Sequence, residues 1–152
     1  MNSTLKSLPL LFMLLCTLVA CSNPGEPLID DTVESGKVQI LYRGITQDID
    51  GTWAEFTLVN DSTELLSYFA YDANHPHYST EMLSDSGWTW LFWNWCGTGA
   101  EYFPLESGGR VDFKTSLPHI DCTWRVLVGA TCNPDSGSFM LRSRSIDYAT
   151  SN

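Results

Sequence analysis

Apolar and polar residues alternate with a period of two along most of the chain. Val38, Ile40 and Tyr42 are separated by polar neighbours, and later segments are rich in β-branched and aromatic residues. This alternation is typical of strands that bury one face, whereas an amphipathic helix repeats every 3.6 residues. The pattern predicts seven strands and no helix of useful length. We letter the strands A (38–43), B (53–59), C (65–71), D (88–95), E (111–117), F (124–130) and G (138–146).

Turn residues separate these strands. Glycine, asparagine, aspartate and serine favour tight connections between antiparallel strands. Seven short strands with such connections predict an all-β fold, a single antiparallel β-sandwich over residues 37–148 with a short tail at 149–152. The turn segments are Asp50-Gly51, Asn60-Asp61-Ser62, Asp85-Ser86-Gly87, Ser107-Gly108-Gly109 and residues 133–137.

Two phrases in this region resemble signatures of immunoglobulin-like domains in exported bacterial proteins. Residues 56–62 read F-T-L-V-N-D-S, similar to F-x-L-x-N-x-S. Residues 105–113 read L-E-S-G-G-R-V-D-F, similar to L-x-P-G-x-x-x-x-F with Ser107 in place of the proline. The phrase W-C-G-T-G at 95–99 is similar to one in small bacterial proteins of this kind. The resemblance implies an immunoglobulin-like sandwich but no activity, because these motifs mark a fold.

The N-terminal segment has a different character. Lys6 precedes an apolar run from Leu8 to Ala20, which has signal-peptide length and is too short to span a bilayer comfortably. The sequence Leu18-Val19-Ala20-Cys21 resembles the lipobox of bacterial lipoproteins. This resemblance implies that residues 1–20 are removed and that Cys21 receives fatty acyl chains. The alternative is an ordinary secretory signal followed by a chance cysteine.

The lipobox implies a location in the bacterial cell envelope, with the N-terminal lipid as the contact with the membrane. Ser22 stands where an aspartate would argue for retention in the inner membrane, so the outer membrane is expected in a Gram-negative host. After the lipidated Cys21, the segment up to residue 36 contains prolines, glycines and four acidic residues with little to bury. We expect it to be a flexible acidic tether.

The chain is strongly acidic, with 8 basic and 18 acidic residues and a formal net charge of −10. Removal of Lys6 with the signal would leave 132 of the 152 residues, enough for one domain, at a charge of −11. Nucleic acids and anionic membrane surfaces attract clustered lysine and arginine, so neither is an expected partner. A neutral polymer, a cation or a basic protein is compatible with this charge.

Three cysteines follow Cys21, in a compartment that permits disulfides. Cys122 and Cys132 flank strand F, and ten extended residues would separate them by roughly 33 Å, far more than a disulfide spans. Consecutive loops of an antiparallel sandwich alternate between its two ends, which would place Cys96 and Cys132 at the same end. We therefore predict a Cys96–Cys132 disulfide. Three reduced, buried cysteines are the alternative.

Residues 88–95 contain four of the six tryptophans. Alternation places Trp88, Trp90 and Phe92 on one face of strand D, and Trp93 and Trp95 on the other. One face must be the core, and the other is either covered by connections or exposed. The composition favours packing in the core or under loops. The alternative is a platform of Trp88, Trp90, Trp93 and Trp95 that stacks sugar rings, since flat aromatic faces match the apolar face of a pyranose.

Two short segments contain residue types that bind metals. His75 and His77, with Asp72 or Glu81, contain the ligand types of a zinc or copper site, but a third histidine is missing nearby. A solvated loop is the simpler interpretation. Residues 48–51, D-I-D-G, are similar to the opening of a calcium loop. A hairpin turn between strands A and B explains them equally well.

The segment His119-Ile120-Asp121-Cys122 places a thiol near an imidazole and a carboxylate. Nucleophilic catalysis also needs a stabilised thiolate and an oxyanion site, which adjacency in sequence does not provide. The sequence therefore predicts a membrane-anchored domain without catalytic activity or a cofactor, which binds a protein or another envelope component or has a structural role. A carbohydrate-binding module that uses strand D is the alternative.

Overall fold

The computed structural model describes residues 38–93, 99–132 and 137–150, and of Trp93 only the backbone. These residues form eleven strands and no helix, so none of them belongs to a helix that could cross a membrane. The strands are β1 (Val38–Asp48), β2 (Gly51–Asn60), β3 (Leu66–Asp72), β4 (His75–Pro76), β5 (Tyr78–Ser84), β6 (Gly87–Trp93), β7 (Glu101–Leu105), β8 (Arg110–Ser116), β9 (Cys122–Thr131), β10 (Phe139–Arg142) and β11 (Ile146–Tyr148).

The strands form two antiparallel sheets. The three-stranded sheet has the order β1-β2-β8. In the large sheet, β9 pairs with β3 and β5 along one edge and with β10 and β11 along the other. β7 lies outside β3, and β6 lies outside β5. Strands A, B and E thus share one sheet while C, F and G share the other, and strand D, which is β6, lies in the large sheet next to β5. The predicted all-β sandwich is confirmed.

The core lies between the two sheets and follows the period-two pattern. In β8, Val111, Phe113 and Thr115 are buried while the residues between them are exposed. Phe56 of β2 stacks on Phe113 with ring centroids 5.7 Å apart, and it meets the edge of Trp124 of β9 at 5.9 Å. Trp124 is completely buried. Burial in β8 therefore alternates strictly, whereas most of β9, from Trp124 to Val128, is buried on both faces.

The predicted number of strands and the interpretation of the segment after Tyr71 were wrong. We expected a solvated loop there, but β5 lies between β9 and β6 and buries residues 78–81. The hydrophobic pattern did not reveal β5, because most of its buried residues are polar. Ser79 and Thr80 are less than 5% exposed, and the neighbouring strands satisfy the backbone groups of such a strand. β7 escaped prediction because it contains Pro104, which is tolerated on an edge strand.

Strand G is two strands rather than one. β10 and β11 both pair with β9, and the link between them contains Ser143, which is buried. Val126 of β9 donates its backbone N–H to Ser143 Oγ at 2.9 Å, and its carbonyl accepts from the Ser143 N–H at 2.9 Å. Ser143 also bridges Ile40 of β1 in parallel. The Ser143 hydroxyl therefore accepts the Val126 N–H in place of a backbone carbonyl, at the point where the large sheet contacts β1.

The two motifs that resemble exported immunoglobulin-like domains meet in space. Asn60, fully buried at the end of β2, donates from Nδ2 to the carbonyls of Glu64 and Leu105, both at 2.8 Å. Its Oδ1 accepts from the N–H and the hydroxyl of Ser62, at 3.1 and 2.6 Å. Ser107, in the position of the motif's proline, donates to the Ser62 carbonyl at 2.5 Å. These bonds tie the turn after β2 to the turn before β8.

Candidate functional site

Exposed aromatic side chains occur on β6, which is an edge strand of the large sheet among the strands described. Trp90 is 61% exposed and Phe92 is 48% exposed. Trp88 is half-buried beside them, and Leu83 of the neighbouring β5 is 48% exposed. We call Trp88, Trp90 and Leu83 the aromatic surface. Phe92 is not part of it, because beyond a β-bulge it pairs with Thr80, which in turn pairs with Val126 of the core. The expectation that the aromatic side chains of strand D pack in the core or under loops is wrong for Trp90 and Phe92.

The strand register explains why these residues face the solvent. Leu83 pairs with Trp88, and Glu81 pairs with both Trp90 of β6 and Arg125 of β9. Residues that are directly opposite in a sheet share one face, so these side chains lie on the outer face of the large sheet. Leu91, on the other face of β6, packs against the core. Alternation therefore placed Trp88 and Trp90 on one face correctly, but it was wrong for Phe92, because a β-bulge at Leu91 shifts the register and pairs Phe92 with Thr80.

A buried ion pair on the same face of the sheet contacts the Trp88 ring. Arg125 Nε lies 2.8 Å from Glu81 Oε2, and the two side chains are only 8% and 12% exposed. The guanidinium carbon of Arg125 lies 4.0 Å from the centre of the Trp88 ring. A cation over an aromatic face is attracted by the ring quadrupole. Glu81 thus fixes Arg125, and Arg125 in turn holds the Trp88 ring in one orientation.

The opposite face of the sandwich is polar. Arg43 Nε donates to Thr57 Oγ1 at 2.9 Å, and that hydroxyl donates to Asp112 Oδ1 at 2.6 Å. The Lys114 ammonium lies 2.7 Å from Asp48 Oδ2, which raises the pKa of Lys114 and lowers that of Asp48. Paired charges of this kind are typical of a solvated face. The two outer faces of the protein therefore differ sharply in chemistry.

Asp48 closes the hairpin between β1 and β2. Its Oδ1 accepts from the backbone N–H groups of Asp50 and Gly51, at 2.9 and 3.1 Å, and from Trp53 Nε1 at 3.1 Å. This carboxylate is engaged by the turn and by the Lys114 ammonium. The hairpin interpretation of residues 48–51 therefore accounts for Asp48 without a calcium ion.

The structure does not bring His75 and His77 together in one cluster of metal ligands. His75 Nδ1 contacts both carboxylate oxygens of Asp72, at 2.8 and 2.7 Å, in an exposed turn. His77 lies 5.4 Å from Phe69 and 5.6 Å from Tyr71 between ring centroids, and burial lowers the pKa of His77. In the described segments, no group of three or more potential ligands could hold a metal.

Several predicted residues lie outside the described residues: Cys21, Trp95, Cys96 and the N-terminal segments. Cys132 is an exposed free thiol in the structure. Because Cys96 is not described, the Cys96–Cys132 disulfide stays a prediction. β6 and β9 are both antiparallel to β5 and therefore run in the same direction. Cys122 and Cys132 do lie at opposite ends of β9, as predicted.

The surroundings of Cys122 disfavour its thiolate form. Burial, and secondarily the charge of Asp121, raise the pKa of the Cys122 thiol. Asp121 Oδ1 accepts from the N–H and hydroxyl of Thr150, both at 2.6 Å, which lowers the pKa of Asp121. A raised thiol pKa keeps the sulfur protonated near neutral pH, and the protonated form is a poor nucleophile.

We therefore expect Cys122 of the reduced, folded protein to react with iodoacetamide several-fold more slowly than the exposed Cys132 near pH 7. Peptide mapping of timed samples measures the two rates. The same measurement in guanidinium chloride is the control, because unfolding exposes both thiols and should bring the rates together. Faster reaction of Cys122 in the folded protein would contradict this assignment.

No protein-family model matches the chain, and no curated protein matches it. The case for the aromatic surface as a site therefore depends on its residues and their geometry. An exposed, contiguous group of large apolar side chains on a soluble domain marks an interaction surface more often than chance packing.

Proposed function

We propose that the protein is an envelope lipoprotein whose β-sandwich is a non-catalytic binding domain, with the aromatic surface as its contact site for a neutral polysaccharide. The lipobox that ends at Cys21 supports the anchor. The binding site is supported above all by one observation, the exposure of Trp90 beside the half-buried Trp88 on the outer face of one edge strand. The tether would hold this surface clear of the membrane.

The chemistry of β6 suits a neutral sugar chain. Successive outward residues of a strand lie about 6.6 Å apart, which lets neighbouring rings contact successive sugars. Residues 87–93 contain no charged side chain, and the Glu81 carboxylate below them is already paired with Arg125. A ligand therefore meets a strand without charged side chains of its own. The overall negative charge of the protein disfavours acidic polymers.

Replacing Trp90 by alanine should weaken polysaccharide binding at least about tenfold, because large aromatic side chains at the centre of a contact dominate its free energy. Depletion of the protein from solution by insoluble cell-wall and plant glycans measures the affinity, and tryptophan emission with acrylamide quenching reports protection of the rings. Trp53→Ala, on the polar face, is the matched control and should bind like the parent. If Trp90→Ala and Trp53→Ala bound polysaccharide with equal affinity, the site would be refuted.

A protein partner that adds a strand to β6 is the second candidate. Edge strands are usually guarded by charge or proline: β8 alternates Arg110, Asp112 and Lys114 outward, and β7 contains Glu101 and Pro104. β6 contains neither kind of guard, so it suits an extended segment that pairs through its backbone. Hydrogen exchange separates the candidates, because strand addition protects backbone amides of β6 whereas sugar stacking leaves them exchanging.

A further inference from the structure

A second site lies where the two sheets meet, on the opposite side of β9 from β6. A cleft of about 440 Å³ runs between residues 39–42 of β1 and residues 142–146, which link β10 to β11. Its walls combine apolar groups, among them Leu41, Tyr42 and Ile146, with the side chains of Arg142 and Arg144. None of the described residues that line it is acidic.

The two arginines of this cleft are unusual in a chain with more than twice as many acidic as basic residues. Within the described residues, no ion pair includes either of them, whereas Arg110, Lys114 and Arg125 all pair with carboxylates. The nearest acid in sequence, Asp147, accepts a hydrogen bond from Thr123 at 2.6 Å. The cleft is therefore a local region of uncompensated positive charge.

One donor in the cleft is buried without an acceptor. The Arg142 Nε atom is buried and has no hydrogen-bond partner, while its Nη1 reaches only the Met140 carbonyl, at 3.4 Å. A buried, unsatisfied donor costs about 1–3 kcal/mol, and more when it is charged. An anion in the cleft would neutralise the guanidinium through its accessible nitrogens, and Nε would gain an acceptor if the side chain moved toward the anion.

The backbone that positions the arginines is rigidly held. Ser143, between them, exchanges two hydrogen bonds of 2.9 Å with Val126 of the central strand. Its hydroxyl also donates to the Arg144 carbonyl at 2.9 Å. A link fixed in this way holds the backbone of both arginines at the wall of the cleft, which reduces the reorganisation that binding would otherwise cost.

We propose that this cleft binds a small anion, a carboxylate or a phosphate monoester with an apolar group attached. Arg142 and Arg144 bind the charged oxygens, and the apolar group packs against Tyr42 and Ile146. The binding group of such a ligand occurs in soluble metabolites and in anionic lipid headgroups. The proposal does not depend on the aromatic surface, from which the cleft is separated by β9 and β5.

Titration with phenyl phosphate in the millimolar range tests the site. The protein is the chain from residue 21 onward with Cys21→Ser, so that no lipid is attached. We expect saturable shifts of the Arg142 Nε–Hε resonance and of backbone signals of residues 39–42. Arg142→Gln and Arg144→Gln should each weaken binding at least about tenfold. Arg110→Gln, on the polar face, is the matched control and should bind like the parent.

A second arm distinguishes the source of the anion. Co-sedimentation with phosphatidylglycerol vesicles, but not with phosphatidylcholine vesicles, and its loss in Arg142→Gln, would assign the site to a lipid headgroup. Binding of phenyl phosphate without vesicle binding would assign it to a soluble ligand. Arg142→Lys keeps the charge without Nε and should bind with intermediate affinity if Arg142→Gln fails to fold. Absence of binding in both arms, or equal weakening by Arg110→Gln, would overturn the proposal.

Discussion

Replacing Glu81 by glutamine should lower the free energy of unfolding by about 3–5 kcal/mol, the largest effect that we expect from a single substitution. The change removes the carboxylate charge from a pair whose side chains are 12% and 8% exposed. The guanidinium of Arg125 then stays buried beneath Trp88 without an ionic partner. Urea denaturation followed by tryptophan emission measures the change, because the midpoint shifts while the slope should stay constant.

An exposed pair provides the control for this prediction. Asp61 and Arg110 lie 3.5 Å apart with side chains 41% and 54% exposed. Surface pairs contribute about 0–1 kcal/mol, so Asp61→Asn should change stability little. The double variant Glu81→Gln/Arg125→Met should recover much of the lost stability, because it leaves no unpaired charge. A loss below about 1 kcal/mol for Glu81→Gln would show that water reaches the pair.

The Glu81–Arg125 ion pair also connects stability to the proposed site. Arg125 is the group that orients the Trp88 ring, and Glu81 is the group that orients Arg125. A well-folded Arg125→Met protein should therefore show altered Trp88 emission and weaker glycan binding. Trp88 is only half-exposed whereas Trp90 is 61% exposed, so the effect on affinity should be smaller than that of Trp90→Ala. Unchanged glycan affinity would mean that Trp88 is orientated by its other neighbours.

How far the sequence predicts this fold depends on how cleanly each strand alternates. β8 alternates charged and apolar residues without interruption, and its boundaries were predicted within one residue. β5 begins Y-S-T-E, which contains a single apolar residue in four, yet all four are buried. Their burial follows from the position of β5 between β9 and β6, and from the Glu81–Arg125 pair. Neither is a local property of the sequence.

The candidate sites show the same limit. Alternation placed Trp88 and Trp90 on one face, but exposure depends on β6 being the outermost described strand, which requires knowledge of β5. The absence of charge and proline in residues 87–93 was visible, but it fits a buried strand equally well. The arginine cleft had a simple signal, the phrase R-S-R at 142–144 in an acidic chain. Its meaning requires the split of strand G at Ser143 and the contact with β1.

Replacing Asn60 by alanine should lower the free energy of unfolding by about 2–4 kcal/mol, the second large effect that we expect. The buried amide of Asn60 is the common partner of the Glu64 and Leu105 carbonyls and of Ser62. Alanine removes these bonds and leaves acceptors at the end of β2 without a replacement donor. Because the bonds join the turn after β2 to the turn before β8, a local substitution should loosen both.

Equilibrium unfolding measures this loss, and hydrogen exchange locates it. The amides of Gly108 and Asn60, which donate to carbonyls across the two turns at 2.6 and 3.0 Å, should exchange faster in Asn60→Ala than in the parent. Asn74→Ala, in the exposed turn between β3 and β4, is the matched control and should change stability by less than about 0.5 kcal/mol. If exchange increases only after β2, the two turns are held together by Ser107 rather than by Asn60.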